Sequence, residues 1–189
     1  MKRTGKSYRQ MRRGAWLIAL AAGTLAASSA YAASDGTLGA TSSGTVGITA
    51  SVPSRARITG LVDVDFTNQD PAIAASSAQD VCVWSNTATK GYTITATGDG
   101  AGSAFTLTDG STTVPYSVQW NSSAGQTSGT ALSTGVASST LTSTATQQIC
   151  SSGPSASASL IVGISTTDLS TMAAATSYTG TLTLLITPQ

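Results

Sequence analysis

The sequence predicts an all-β protein built as a sandwich of immunoglobulin type. Three observations predict it. Thr, Val and Ile recur in alternation through several short segments, the period of half-buried strands. Charged residues, the usual helix surface, make up only 9 % of the 189 residues, and Glu is absent. Turn signals separate about seven apolar segments, the spacing of a sandwich rather than of a helical or α/β chain. Ser, Thr, Ala and Gly dominate, as they do in disordered chains, but the alternating segments argue against disorder over most of the length. That length holds one domain with a core.

Residues 1–32 read as an export signal. Basic residues precede the apolar run Ala15–Ala22, and Ala30-Tyr31-Ala32 supplies a small-x-small cleavage site. The apolar run is shorter than the ~20 residues of a spanning helix, which argues against an uncleaved anchor. Arg12-Arg13 hints at twin-arginine export, but Met11 precedes the pair and the rest of that pattern is missing, so general secretion is the better reading. With no second hydrophobic segment, the expected product is soluble outside the cytoplasm. Six of the nine basic residues belong to this leader. The remainder has Arg55, Arg57 and Lys90 against eight Asp, a net charge of −5 and no basic stripe, so nucleic acid is not an expected partner.

Residues 33–43 are, Asp35 apart, Gly, Ser, Thr and Ala around a lone Leu38, and read as a mobile N-terminus. In Gly44–Pro53, Val46, Ile48, Ala50 and Val52 alternate with Thr45, Gly47, Thr49 and Ser51. The pattern predicts a strand closed by a proline that cannot extend a ladder. Such a strand can pair with its own domain or with a neighbour's. A second strand is expected over Ile58–Phe66, where Val62, Val64 and Phe66 alternate with Asp63 and Asp65, and a turn-rich stretch over Asn68–Ser77. Val81–Trp84 is a short apolar run, and Gly91–Thr97 alternates cleanly. Asp109-Gly110 predicts a hairpin linking Phe105–Leu107 to Val114–Trp120, with Tyr116, Val118 and Trp120 on one face and Pro115 marking an edge or a bulge. Residues 121–148 read either as a long loop or as a pair of weak strands. Leu160–Ile164 predicts a strand, Asp168–Ala175 a short helical turn, and Tyr178–Gln189 a closing strand.

Cys82 and Cys150 are the only cysteines, in a chain read as exported, so a disulfide is the natural pairing. Two free thiols in a redox or metal site are the alternative, without a C-x-x-C spacing or a His to support it. Without His there is no Ser-His pair and no imidazole ligand, and without Glu any paired carboxylates must be Asp. Catalysis is not expected, and no metal or cofactor is implied. Asp63 and Asp65, with Asp70, have the chemistry for calcium, but two solvated residues on an outer strand face are the better reading. Trp84 and Trp120 suit either a sugar platform or core packing, with core the stronger reading. Arg55 and Arg57 read equally as a binding site or as solvated strand residues. Asn121-Ser122-Ser123 is a glycosylation sequon of little weight in a Ser-rich stretch.

An export signal, an alternating strand Val46–Pro53, a β domain with one cysteine pair and the ending Tyr178–Pro188 together resemble the subunits of bacterial chaperone–usher fimbriae. The likeness is greatest to the alternative-chaperone (alpha) branch, and the secreted pilin domain named after spore coat protein U is similar. The resemblance implies an incomplete immunoglobulin-like sandwich, completed by donor-strand exchange. In that frame residues 33–52 are an N-terminal extension and 53–189 the pilin domain. Val46, Ile48, Ala50 and Val52 form the donor strand, and Leu182, Leu184 and Ile186 line the acceptor groove. The implied partners are neighbouring subunits, a periplasmic chaperone and an outer-membrane usher. The implied destination is a surface fimbria reached through the periplasm, with a role in adhesion or biofilm. A self-contained secreted sandwich that coats the cell or binds carbohydrate is the rival reading.

Overall fold

The computed structural model describes residues 32–189, so the export signal, but for Ala32, lies outside the described residues. The chain divides into two units between Ser51 and Val52.

In the first unit, Ser34 and Thr45 form an antiparallel bridge, with reciprocal main-chain hydrogen bonds of 3.0 and 2.9 Å and hydroxyls 2.7 Å apart. A Cβ on Gly44 would lie 2.8 Å from the Ser34 carbonyl oxygen, so the bridge requires glycine there. The strand expected over residues 46–52 is not formed. These residues join no ladder, and Val46 and Ile48 are 77 % and 91 % exposed. Alternation gives a segment the capacity to be a strand, but the strand itself needs a partner's backbone.

The second unit is the expected all-β sandwich. One antiparallel sheet has the order β1 (Ala56–Thr59), β2 (Ala75–Ser85), β9 (Ala158–Ile164), β6 (Ser117–Asn121) and β7 (Thr130–Ala131). The other has the order β10 (Leu182–Pro188), β3 (Gly91–Gly98) and β8 (Leu141–Thr142), and β4 (Thr106–Thr108) pairs with β5 (Thr113–Pro115) as a separate hairpin. Alternate residues of β3, β6 and β9, with Ala75, Val81 and Val83 of β2, enter one core, which includes Tyr92, Ile94, Val118 and Leu160. The two sheets are tied across that core by a buried hydrogen bond, in which Trp120 Nε1 donates to Tyr92 Oη at 3.1 Å.

The hairpin turn at Asp109-Gly110 is as expected. Asp109 Oδ1 accepts from the Ser111 and Thr112 amides, bonds that hold its carboxyl below the usual range, and Gly110 takes φ +97°. At Pro115, which cannot donate, the chain leaves the hairpin and joins the main sheet at Ser117. Residues 121–148 are mostly loop with two short strands, β7 and β8. The helical turn α1 (Thr166–Leu169) starts at Ser165, whose hydroxyl accepts from the Asp168 amide at 3.1 Å. The strand expected over Ile58–Phe66 is cut to Ala56–Thr59. Its ladder with β2 ends at Thr59↔Cys82, and Gly60 follows at φ +85°. The closing strand begins only at Leu182, because Thr179 bridges Thr108 and the Thr181 amide is taken by Asp99.

Cys82 and Cys150 are bonded, their Cα atoms 5.8 Å apart, in a small cluster with Ala145 and the half-buried Trp84. Serine hydroxyls complete the adjoining backbone. Ser157 Oγ accepts from the Val83 amide and donates to the Val83 carbonyl, to which the Ser143 hydroxyl also donates. On the outer side of β2, Asp80 Oδ1 accepts from the Gly125 amide at 2.6 Å and from Ser159 Oγ at 2.7 Å, which lowers its pKa below 3.8.

Two outcomes are expected. Replacing both cysteines by Ala should lower unfolding free energy by about 4 kcal/mol, the loop-closure entropy of a separation of 68 residues, read by urea unfolding. The Asp80 carboxylate contributes stability above its unfolded-state pKa and loses it as pH falls through the lowered folded value. The stability gap between wild type and Asp80→Asn should therefore narrow between about pH 7 and about pH 3, and a gap constant with pH would refute the assignment.

Candidate functional site

The last strand is paired on one edge only. β10 runs antiparallel to β3 from Leu182↔Gly98 to Pro188↔Tyr92, and among the described residues its other edge has no ladder partner. Leu182, Leu184 and Ile186 alternate with the exposed Thr183, Leu185 and Thr187, so the strand carries one apolar face toward the core. Leu184 and Ile186 are only half-buried, whereas their ladder partners Ala96 and Ile94 of β3 are fully buried, and Leu182 is half-buried opposite Gly98. The apolar face at the open edge is therefore incompletely covered.

Beside this edge lies a groove of about 1300 Å³. Leu182 and Leu184 line it together with Leu160, Val162 and Ile164 of β9, which reach it from the other sheet. Residues 61–69 and 172–181 complete it. The second of these segments is fixed locally: the Ala173 amide donates to Tyr178 Oη at 3.0 Å, and Thr181 N–H donates to Asp99 Oδ2 at 2.8 Å. Tyr116 also lines the groove. It is 8 % exposed, and its hydroxyl has no hydrogen-bond partner among the described residues. Burial foremost, and the Asp99 carboxylate next, push its pKa up, so the group is a neutral phenol at any ordinary pH.

An open strand edge above an apolar groove can accept an extended chain. The edge supplies alternating N–H and C=O groups, and the groove takes every second side chain. The site residues read from the sequence are distributed as follows. Leu182 and Leu184 line the groove, while Ile186 packs on the core and is not among the lining residues. Val46, Ile48, Ala50 and Val52 are exposed and unpaired. Sequence reasoning missed Leu160, Val162 and Tyr116 as groove residues, because alternation marks them as core without telling that the cover above them is incomplete.

The other candidates resolve simply. Trp120 is 2 % exposed and bonded to Tyr92, and Trp84 packs at the disulfide, so core packing accounts for both. Asp65 and Asp70 accept from the Thr67 and Ala72 amides in local turns, and no group of three or more metal-ligating side chains occurs among the described residues. The Asn121 side-chain amide donates to the Ser128 carbonyl. No helix among the described residues is long and apolar enough to cross a membrane.

No family model matches the chain. No curated protein matches it either. Among solved structures it is similar to a chain of the CsuC–CsuE chaperone–tip adhesion subunit pre-assembly complex, from the archaic chaperone-usher Csu pili of Acinetobacter baumannii. Identity is 19 %, the TM-score is 0.36, and the match covers 71 % of this chain and 40 % of that one.

A buried hydroxyl without a partner is a cost that its removal relieves. Tyr116→Phe should leave stability unchanged or raise it, by up to about 1–2 kcal/mol, in urea unfolding of the full chain. A loss of more than about 1 kcal/mol would mean that the hydroxyl is satisfied.

Proposed function

We propose that the protein is a structural subunit of a surface fimbria, assembled by donor-strand complementation. The single observation that carries this reading is the unpaired edge of β10 beside an apolar groove. Buried backbone groups without partners and uncovered apolar surface both cost free energy, so the sandwich is incomplete until a strand occupies that edge. The occupant is residues 46–52 of a neighbouring copy. That segment has the period of a strand, forms none, and leaves Val46, Ile48 and Val52 exposed. Burying a Val or Ile side chain contributes roughly 1.5–3 kcal/mol, so three of them with a backbone ladder make a durable joint. The outward positions Thr45, Gly47, Thr49 and Ser51 suit the solvent side of the same strand.

The remaining parts of the reading follow from this one. A subunit with an open groove needs a periplasmic chaperone until its neighbour arrives, and an outer-membrane usher to pass it outward. Residues 1–32 direct its export. It is a scaffold rather than an enzyme, its partners are other subunits in a homopolymer, and adhesion or biofilm formation is the role of the fibre.

Ile48→Asp separates this reading from a self-contained sandwich. The carboxylate would have to enter an apolar groove, at a cost of several kcal/mol, on a neighbouring molecule. Full-length variant and wild type are compared for yield of disulfide-bonded subunit and for a ladder of heat- and SDS-resistant oligomers. Normal yield with no ladder is the expected result. A wild type that is a stable monomer, or a variant that loses the folded subunit itself, would overturn the proposal.

A further inference from the structure

Of the three polar residues of β2 in phase with Val81 and Val83, namely Ser77, Gln79 and Ser85, Gln79 is the one that lines the groove. It lies two residues before Val81 on the side of β2 that carries Val81 and Val83 into the core. The register of β1 on β2, from Ala56↔Ser85 to Thr59↔Cys82, would place Val62 opposite Gln79 if the ladder continued. It does not continue. Instead the Gln79 amide meets both main-chain groups of Val62. Val62 N–H donates to Oε1 at 2.8 Å, and Nε2 donates to the Val62 carbonyl at 3.0 Å. In that register 62 and 79 would form a non-hydrogen-bonded pair, with both main-chain groups of Val62 turned away from β2, so their bonds to the Gln79 side chain hold Val62 out of the ladder. Beyond Val62, Val64 and Phe66 are half-buried against the core and line the groove. Residues 63–66 make no main-chain hydrogen bond to another main-chain group among the described residues.

We propose that Gln79 is a positioning residue for strand capture. Its amide holds residues 61–66 off the free edge of β2, so that this side of the groove stays open and its backbone stays available to an inserted strand. The inference rests on the donor-strand reading. An apolar residue at 79 would satisfy the core but release residues 61–63 to continue the ladder onto β2 in register, Leu61 opposite Asp80 and Asp63 opposite Ala78, narrowing the groove. Gln is suited to the task because one amide both accepts and donates, and its two methylenes set the spacing.

The probe is a synthetic peptide of residues 44–53, titrated onto the full-length protein, with the disulfide verified in every sample. Gln79→Val should bind it about tenfold more weakly or worse, the loss expected when two hydrogen bonds no longer hold the receptive backbone. Hydrogen exchange should show new protection at Leu61 and Asp63, and loss of protection at Val62, whose amide no longer has the Gln79 oxygen. Gln79→Glu supplies a second measurement on a single folded sample. Ionised, its carboxylate accepts from Val62 N–H but cannot donate to the carbonyl. Protonated, it offers the same donor and acceptor as Gln. Binding by Gln79→Glu should therefore be weak at about pH 7 and approach that of wild type at about pH 3.5, below the ordinary Glu pKa. Asp63 and Asp65 also line the groove, and Asp80 adjoins Gln79 on β2. All three are common to every variant, so wild type at both pH values accounts for them. Wild type that binds the peptide while both variants match it at neutral pH overturns the role of Gln79 and leaves the donor-strand reading standing. Weak binding by Gln79→Glu at both pH values, with wild type unaffected, also overturns the amide-geometry argument. A wild type that neither binds the peptide nor forms oligomers overturns the donor-strand reading, and this proposal with it.

Discussion

The structure turns on the requirement that every strand backbone find a partner. β3 meets it on both edges, through β10 and β8, and β9 meets it through β2 and β6. β10 meets it on one edge. The half-burial of Leu182 and Leu184 and the groove beside them are consequences of the same gap. In a closed sandwich the inward faces of both sheets are covered to their margins. Here the cover runs out at the strand that ends the described fold.

Where a ladder is missing elsewhere, side chains stand in for it. Asn86 accepts from the Arg55 amide and donates to the Pro53 carbonyl, so β1 is entered through one side-chain amide and left through another, that of Gln79. Ser157 serves both main-chain groups of Val83, and Asp99 receives the Thr181 amide ahead of β10. The chain's wealth of Ser and Thr, with a few Asn, Gln and Asp, is thereby given structural work. Short polar side chains reach backbone groups at the places where regular pairing stops.

Much of the fold was legible in the sequence. Gly91–Thr97 and Leu160–Ile164 became β3 and β9 because each is paired on both edges, so intrinsic pattern and tertiary context agree. The Asp109-Gly110 hairpin was legible because turn chemistry is local. The cysteine pair was legible because only one intramolecular bridge exists for two cysteines. Residues 46–52 and 62–66 alternate just as clearly yet form no ladder, since alternation records which face a strand would bury and nothing about who pairs with it. The groove was legible only on its β10 side. Its Leu160, Val162 and Tyr116 lining looks in sequence like any other core, and a missing cover is a property of topology. Gln79 carried a faint signal, a polar residue in phase with Val81 and Val83, which only the register of β1 makes meaningful.

The placement of the tryptophans has an optical consequence. Of the two among the described residues, Trp120 is a buried indole hydrogen-bonded to Tyr92, and Trp84 rests against the Cys82–Cys150 bridge. Disulfides quench excited indoles at contact. Ultraviolet emission of the oxidised domain is thus dominated by Trp120 and shifted to the blue by its dry surroundings, and Trp84 brightens only when the bridge is reduced. One chromophore reports the integrity of the core and the other the redox state of the bridge, with no label attached.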